Sequence, residues 1–264
     1  MPALLKQEIT MGSLKGKKAL VTGAEQGIGQ AVAKALAESG CDVAIHYYAS
    51  KELATGNADF AKSKGVMAEI FHADLTREQD AKAMVASAAK FLGGIDILVN
   101  NVGDLVKRKL LGKVELDFWK KVYDINVTSA MMVTRESLPY LEKNSGGASI
   151  VNLASLAGRK GGHPGSLVYS TCKGAVITWT RALSNELAPK GIRVNCVAPG
   201  LILGTRFHDT HTTRESADET IKGIPLGRAG TPEDVARTIV FLASEYDGFI
   251  TGATIDINGG VYCA

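Results

Sequence analysis

A short strand-forming run, Lys17-Lys18-Ala19-Leu20-Val21-Thr22, leads straight into Gly23-Ala24-Glu25-Gln26-Gly27-Ile28-Gly29. Apolar residues at helical spacing follow over Gln30 to Ser39 (Val32, Leu36), and Gly40 closes the stretch. Three glycines at a strand-to-helix junction let the backbone turn sharply and approach a ligand closely. The first N–H groups of the helix are then left unpaired and facing outward, the arrangement that holds a phosphate. Glycines so spaced also recur in ordinary tight turns. Their place at the first strand–helix junction of an alternating chain is what favours a dinucleotide.

The alternation continues to the C-terminus. Strand-like runs are expected at Asp42 to Tyr47, Val66 to Ala73, Ile95 to Asn100, Ala148 to Ala154, Gly191 to Ala198 and Ala253 to Ile257. Helices are expected at Lys51 to Lys64, Arg77 to Leu92, Glu115 to Lys143, Gly165 to Ala188 and Pro232 to Ser244. Such order predicts an α/β fold, a doubly wound parallel sheet of about seven strands with helices on both faces. No linker or repeat divides the chain, so a single domain over residues 14–264 is expected, preceded by an N-terminal extension, 1–13. The poorly periodic, polar stretch Leu201 to Ile224 reads as a lid.

Charge and composition exclude several classes. Thirty basic and 27 acidic residues are interspersed, unlike the clustered basic face of a nucleic-acid binder. No apolar run approaches the ~18 residues of a membrane span, and Met1 to Ser13 lacks the pattern of a signal peptide. The cysteines, Cys41, Cys172, Cys196 and Cys263, show no paired spacing, as expected of reduced thiols in a cytoplasmic protein. His46, His72, His163, His208 and His211 show no metal-ligand spacing, so no metal is expected.

Tyr169 and Lys173 are four apart in an expected helix and so share a face. A cation about 4 Å from the phenol, at an effective dielectric near 20, supplies roughly 4 kcal/mol. That is about three pKa units, enough to bring a phenol from near 10 towards neutrality. Tyr169 would then act as acid in carbonyl reduction and as base in the reverse. Ser155 follows the strand ending Leu153-Ala154, at the strand end where open α/β sheets place ligands. Its hydroxyl can hydrogen-bond a substrate oxygen.

The ordered set of Thr22-Gly23 to Gly29, Asn100-Asn101-Val102-Gly103, Ser155, Tyr169-Ser170-Thr171-Cys172-Lys173, Pro199-Gly200 and Thr251-Gly252…Asp256-Ile257-Asn258-Gly259-Gly260 resembles the short-chain dehydrogenase/reductase family. It is closest in style to 3-oxoacyl-carrier-protein reductases, glucose dehydrogenases and sugar or ketoacid members. The resemblance implies a Rossmann-like fold and a nicotinamide cofactor. It implies a catalytic set of Asn126, Ser155, Tyr169 and Lys173, with Asn126 bending a helix and holding a water beside the lysine. The cofactor would be held by Gly23, Gln26, Gly27, Ile28 and Gly29, by Asp74 and Leu75, by Asn101, Val102 and Gly103, by Tyr169 and Lys173, and by Pro199, Gly200 and Ile202. Asn100 would border it, and Asp74 would meet the adenine amino group. A homotetramer follows by the same analogy, through Pro232 to Tyr262 and through the helices at Glu115 to Lys143 and Gly165 to Ala188.

NAD binders usually place an acidic residue at the end of strand two. Here Tyr47 stands at that point, and Ser50 and Lys51 could contact a 2′-phosphate; Glu25 and Gln26 argue the other way. On balance these residues favour NADPH over NADH. For the substrate, Arg159, Lys160 and His163 on one side and Arg206, His208 and His211 from the lid suggest a small polar carbonyl compound. A sugar, a hydroxy acid or a keto-sugar acid such as a uronate-derived 2-keto acid would suit them. A 3-oxoacyl thioester is the alternative substrate. A non-catalytic nucleotide-binding scaffold is the alternative of another class.

Overall fold

The computed structural model describes residues 14–144, 146–244 and 248–263. The expected extension over 1–13 lies outside them. Seven parallel strands form one sheet: β1 (Lys18–Val21), β2 (Asp42–Tyr47), β3 (Ala68–His72), β4 (Ile97–Asn100), β5 (Ala148–Leu153), β6 (Ile192–Pro199) and β7 (Thr254–Ile257), in the order β3-β2-β1-β4-β5-β6-β7. Strand order reverses between β1 and β4, which pair in the register Ala19↔Ile97 and Val21↔Val99. Ligands of such sheets bind beyond the carboxyl ends of the strands at that reversal.

The two-residue period of each strand divides the core. Ala19, Val21, Val43, Val99 and Val197 face one layer, packed by Val32 and Leu36 of α1 (Gly27–Glu38), by α2 (Lys51–Ser63) and by Ile239 and Leu242 of α10 (Pro232–Ala243). Leu20, Leu98, Ile150 and Val194 face the other, against Val85 and Ala88 of α3 (Glu78–Leu92), Val133 of α5 (Ser129–Leu141) and Leu187 of α7 (Leu167–Leu187). Strands buried on both faces are why these runs are continuously apolar.

Two local expectations change. The helix expected over Glu115 to Lys143 is α4 (Leu116–Tyr123), one π-helical turn (Asp124–Thr128), then α5. The wide turn forms where Asn126 sends its amide back to Val122 O at 2.8 Å and across to Asp104 O at 2.7 Å. The lid is also more regular than its sequence suggests. It holds α8 (Arg206–His211) and α9 (Arg214–Lys222), started by Thr205 and Thr213, whose hydroxyls accept from His208 N and Ser216 N. Caps of this kind start helices too short to show apolar periodicity. A further short helix, α6 (Leu156–Lys160), begins at Ser155.

Candidate active site

At the end of β1 the glycine turn is built around a buried histidine. Gly23 N donates to His46 Nδ1 at 2.9 Å, so the ring proton sits on Nε2, 3.1 Å from Ala73 O. Burial holds His46 down at about 4, hence neutral, and the ring joins the turn to the residues following β3. Asn57 of α2 donates to Ala24 O and Glu25 O, both at 3.0 Å. A Cβ at Gly29 would lie 2.2 Å from Gly23 O and 2.5 Å from Asn101 Nδ2, so only glycine lets the helix start this close to the strand.

α1 begins with Gln26 as its N-cap, and that side chain makes no cap hydrogen bond. The leading amides therefore face the cleft unpaired, as a pyrophosphate requires. Gly23, Gln26, Gly27, Ile28, Asp74, Leu75, Asn101, Val102, Gly103, Pro199, Gly200 and Ile202 line this cleft together with Ser155, Tyr169 and Lys173. The lining fits a nicotinamide dinucleotide. When bound, that group supplies the hydride, and the protein's part is positioning and proton supply.

Some expected contacts are spent elsewhere. Tyr47 is buried against His72 in the core, and His46, Tyr48 and Ala49 line the cleft in its place. Alternation along β2 explains this, because neighbours in a strand face opposite sides. Ser50 caps α2 through Leu53 N, and Lys51 is exposed on the first turn of that helix; neither lines the cleft. Asp74 does, but its Oδ1 accepts from the backbone and hydroxyl of Thr76 at 3.0 and 2.6 Å. Asn100 points into the sheet, donating to Thr134 Oγ1 and Asn152 Oδ1, both at 2.9 Å. Arg159 is a correction to the substrate set. Its guanidinium forks onto Asp256 at 3.0 and 2.9 Å and onto Thr254 O at 3.0 Å, tying α6 to β7. His163 and Arg206 do line the cleft, as does Lys160.

The four expected catalytic residues converge. Lys173 is 2% exposed, its Nζ donating to Leu153 O at 2.8 Å. Asn126, 1% exposed, receives Asp104 N on Oδ1 at 3.1 Å. A Cβ on Gly103 would come within 2.7 Å of both Lys173 Nζ and Asn126 Oδ1, so this glycine lets the loop after β4 lie against both groups. Ser155 acts on the Tyr169 phenol, opposing part of its upward shift, and its hydroxyl oxygen accepts Ala157 N at 3.1 Å. Ser155 thus starts α6 from the same place at which it lies beside the phenol.

The electrostatics differ from the sequence expectation. The Lys173 ammonium lies 5.6 Å from the Tyr169 ring centroid. Burial pushes the phenol above its ordinary value, only partly opposed by Ser155. Burial likewise brings Lys173 down to about 8, with the Cys196 and Cys172 thiols acting in the opposite sense. The phenol is therefore protonated, as a general acid in reduction must be. Cys172 is buried and its thiol is raised to about 11 by burial, which suits packing and not nucleophilic chemistry.

The lid completes the enclosure. Phe207 packs on Tyr169 with ring centroids 5.5 Å apart and on His211 at 5.1 Å. His211 Nε2 reaches Asp104 Oδ1 at 3.0 Å, and Arg108 donates to His211 O at 3.3 Å. Two features escaped sequence reasoning, the His46 connector and this histidine–aspartate contact. A histidine inside an otherwise apolar strand was the available signal for the first; nothing in the sequence pairs residues 104 and 211.

A family model described as enoyl-(acyl carrier protein) reductase matches residues 23–262. A 3-oxoacyl-[acyl-carrier-protein] reductase of Staphylococcus epidermidis is 37% identical, over 93% of this chain and 99% of that protein. The enzyme of the same name from Aquifex aeolicus is 38% identical, over 94% and 98%. Among solved structures, an NADH-dependent reductase responsible for alginate metabolism superposes with TM-score 0.87 at 32% identity, covering 95% of this chain and 99% of its own. A putative short-chain alcohol dehydrogenase of Sinorhizobium meliloti gives 0.88 at 32%, covering 94% and 97%. No helix among the described residues is long and apolar enough to cross a membrane. With its parallel seven-stranded sheet, its glycine cradle and these relatives, the chain belongs to the short-chain dehydrogenase/reductase family, oxidoreductases that use NADH or NADPH.

Proposed function

We propose that the protein reduces the carbonyl of a small, polar, anionic substrate, such as a keto-sugar acid, to an alcohol. Ser155 and Tyr169 hydrogen-bond the carbonyl oxygen, Tyr169 delivers the proton, and Lys173 with Asn126 backs the phenol. The observation that carries the anionic preference is at the mouth of the cleft. Lys160 and Arg206 line it, and neither has an acidic partner among the described residues. A guanidinium there can take a carboxylate in a two-point contact. The solved relative named for alginate metabolism lends support by likeness.

Following nicotinamide absorbance over paired neutral and carboxylated keto-sugars tests this. The carboxylated member is expected to have the higher kcat/KM, and Arg206→Ala is expected to remove that advantage. Equal kcat/KM for both would end the anionic reading. Tyr169→Phe is expected to lower kcat by about 10²- to 10⁴-fold while nucleotide binding persists. Turnover at the wild-type rate would remove Tyr169 from the chemistry.

A 3-oxoacyl thioester is the second reading, favoured by curated relatives that bear that activity in their names at 37–38% identity. Acyl thioesters belong in the same panel. We also propose a cytoplasmic homotetramer, to which the exposed Leu116, Met131 and Leu167 on the helices of one face and Phe249 near the C-terminus lend support. A monomeric mass in light scattering would refute it.

A further inference from the structure

The carboxylate that sequence position denies to the end of β2 is delivered from the glycine turn. Glu25 is 6% exposed although it lines the cleft. Its Oε1 lies 3.5 Å from both Tyr48 N and Ala49 N, in the connection leaving β2. Its Oε2 is buried with no hydrogen-bond partner. A buried carboxylate oxygen lacking a donor costs free energy that a ligand hydroxyl can return.

Three parts of the chain surround it. β2 contributes His46, held neutral by burial. The connection after β2 contributes main-chain N–H groups and the Tyr48 side chain, 60% exposed and stacked on His72 at 6.2 Å. α2 contributes Asn57, which holds the main-chain carbonyl of Glu25 and not its carboxylate. No Lys or Arg pairs with Glu25 among the described residues, and Lys51 is exposed on the first turn of α2, outside the cleft lining.

We infer that Glu25 is the cofactor-specificity residue: its free carboxylate oxygen accepts the 2′-hydroxyl of the adenine ribose and excludes a 2′-phosphate, so that NADH is preferred. This rests on the reading of the cleft as a dinucleotide site. It reverses the NADPH preference suggested by the strand-two run, because the acid comes from the neighbouring turn and not from the end of that run. Two anionic groups without an intervening cation repel, whereas an unphosphorylated ribose supplies the missing donor.

Direct binding without turnover tests it. NADH, NADPH, 5′-ADP and adenosine 2′,5′-bisphosphate are titrated calorimetrically into wild type, Glu25→Gln and Glu25→Ser. Wild type is expected to bind NADH over NADPH, and 5′-ADP over the bisphosphate, by about tenfold or more, equivalent to about 1.4 kcal/mol. Both variants are expected to narrow that gap, mainly by tightening the phosphorylated ligand. The wild-type ratio needs no variant to fold, so it decides alone. Equal or tighter binding of NADPH by wild type would overturn the role of Glu25 and leave the cleft assignment standing, as would variants whose ratio is unchanged. Binding of none of the four ligands would overturn the cleft assignment and this inference together.

Discussion

His211 Nε2 lies 3.0 Å from Asp104 Oδ1, joining α8 of the lid to the loop that follows β4. Asp104 is also the residue whose main chain meets both ends of the Asn126 amide. The contact therefore links the cover of the cleft to the loop that lies against Asn126 and Lys173. A hydrogen bond of this kind contributes about 0.5–1.5 kcal/mol. His211→Ala is expected to raise KM for the carbonyl substrate about two- to tenfold and to change nucleotide affinity little. Steady-state kinetics beside nucleotide titration checks the split; a loss confined to nucleotide binding would place the contact elsewhere in the cycle.

Lys173 titrates at about 8 because burial disfavours its ammonium. Below that pH the cation stands behind the phenol and beside Gly103; above it the field is lost. Reduction is accordingly expected to slow as pH rises through about 8, with nucleotide binding weakening in parallel. A pH profile of kcat/KM is the measurement. Lys173→Met should be far less active and lack that limb, and a wild-type rate still flat at pH 9 would contradict the assignment.

His46 makes stability depend on pH in the acid range. Its folded value is about 4 and its ordinary value 6.5, so between them only the unfolded chain takes up a proton. Stability is full above about 6.5 and declines as pH falls towards 4, by about 3 kcal/mol from this group. His208 is held down in the same way, by burial and then by His211, and adds in the same direction. Urea midpoints at pH 7, 6 and 5 should fall in step. His46→Gln should be less stable at pH 7 and show a shallower decline below pH 6.

Arg159 and Asp256 form a largely buried fork, their side chains 11% and 17% exposed. Removing one partner of such a pair strands the other, at a cost of about 3–5 kcal/mol. Arg159→Met is expected to lower the thermal midpoint and leave KM for carboxylated substrates unchanged. A raised KM with unaltered melting would return Arg159 to the substrate site.

Much of the fold was legible because strands buried on two faces and helices buried on one write different periods into the chain. Tyr169, Lys173, Ser155 and Asn126 were legible through ordered motifs, and the structure brings all four together. What was not legible depended on side-chain direction and on distance in sequence. Tyr47 and Tyr48 are equally plausible cleft residues until strand phase is known, and Arg159 and Arg206 look alike until Asp256 claims the first. The rise of the Tyr169 phenol was not legible because four-residue spacing puts two side chains on one face without showing how deeply they are buried. The lid helices start at Thr205 and Thr213 and are too short for periodicity to reveal.

The π-helical turn at Asp124–Thr128 bears on how this chain tolerates insertions and deletions. A helix with one residue more per turn sets Asn126 by counting, since each residue gained or lost rotates everything beyond it by about 100°. Shortening that stretch by one residue would swing the amide away from Gly103 and Lys173 even if every side chain were kept. The exposed bend Gly161 to Pro164 stands outside any regular element, so a change of length there rotates no helix. Length therefore fixes side-chain direction in one segment of this protein, while another some 35 residues away carries no such helical count.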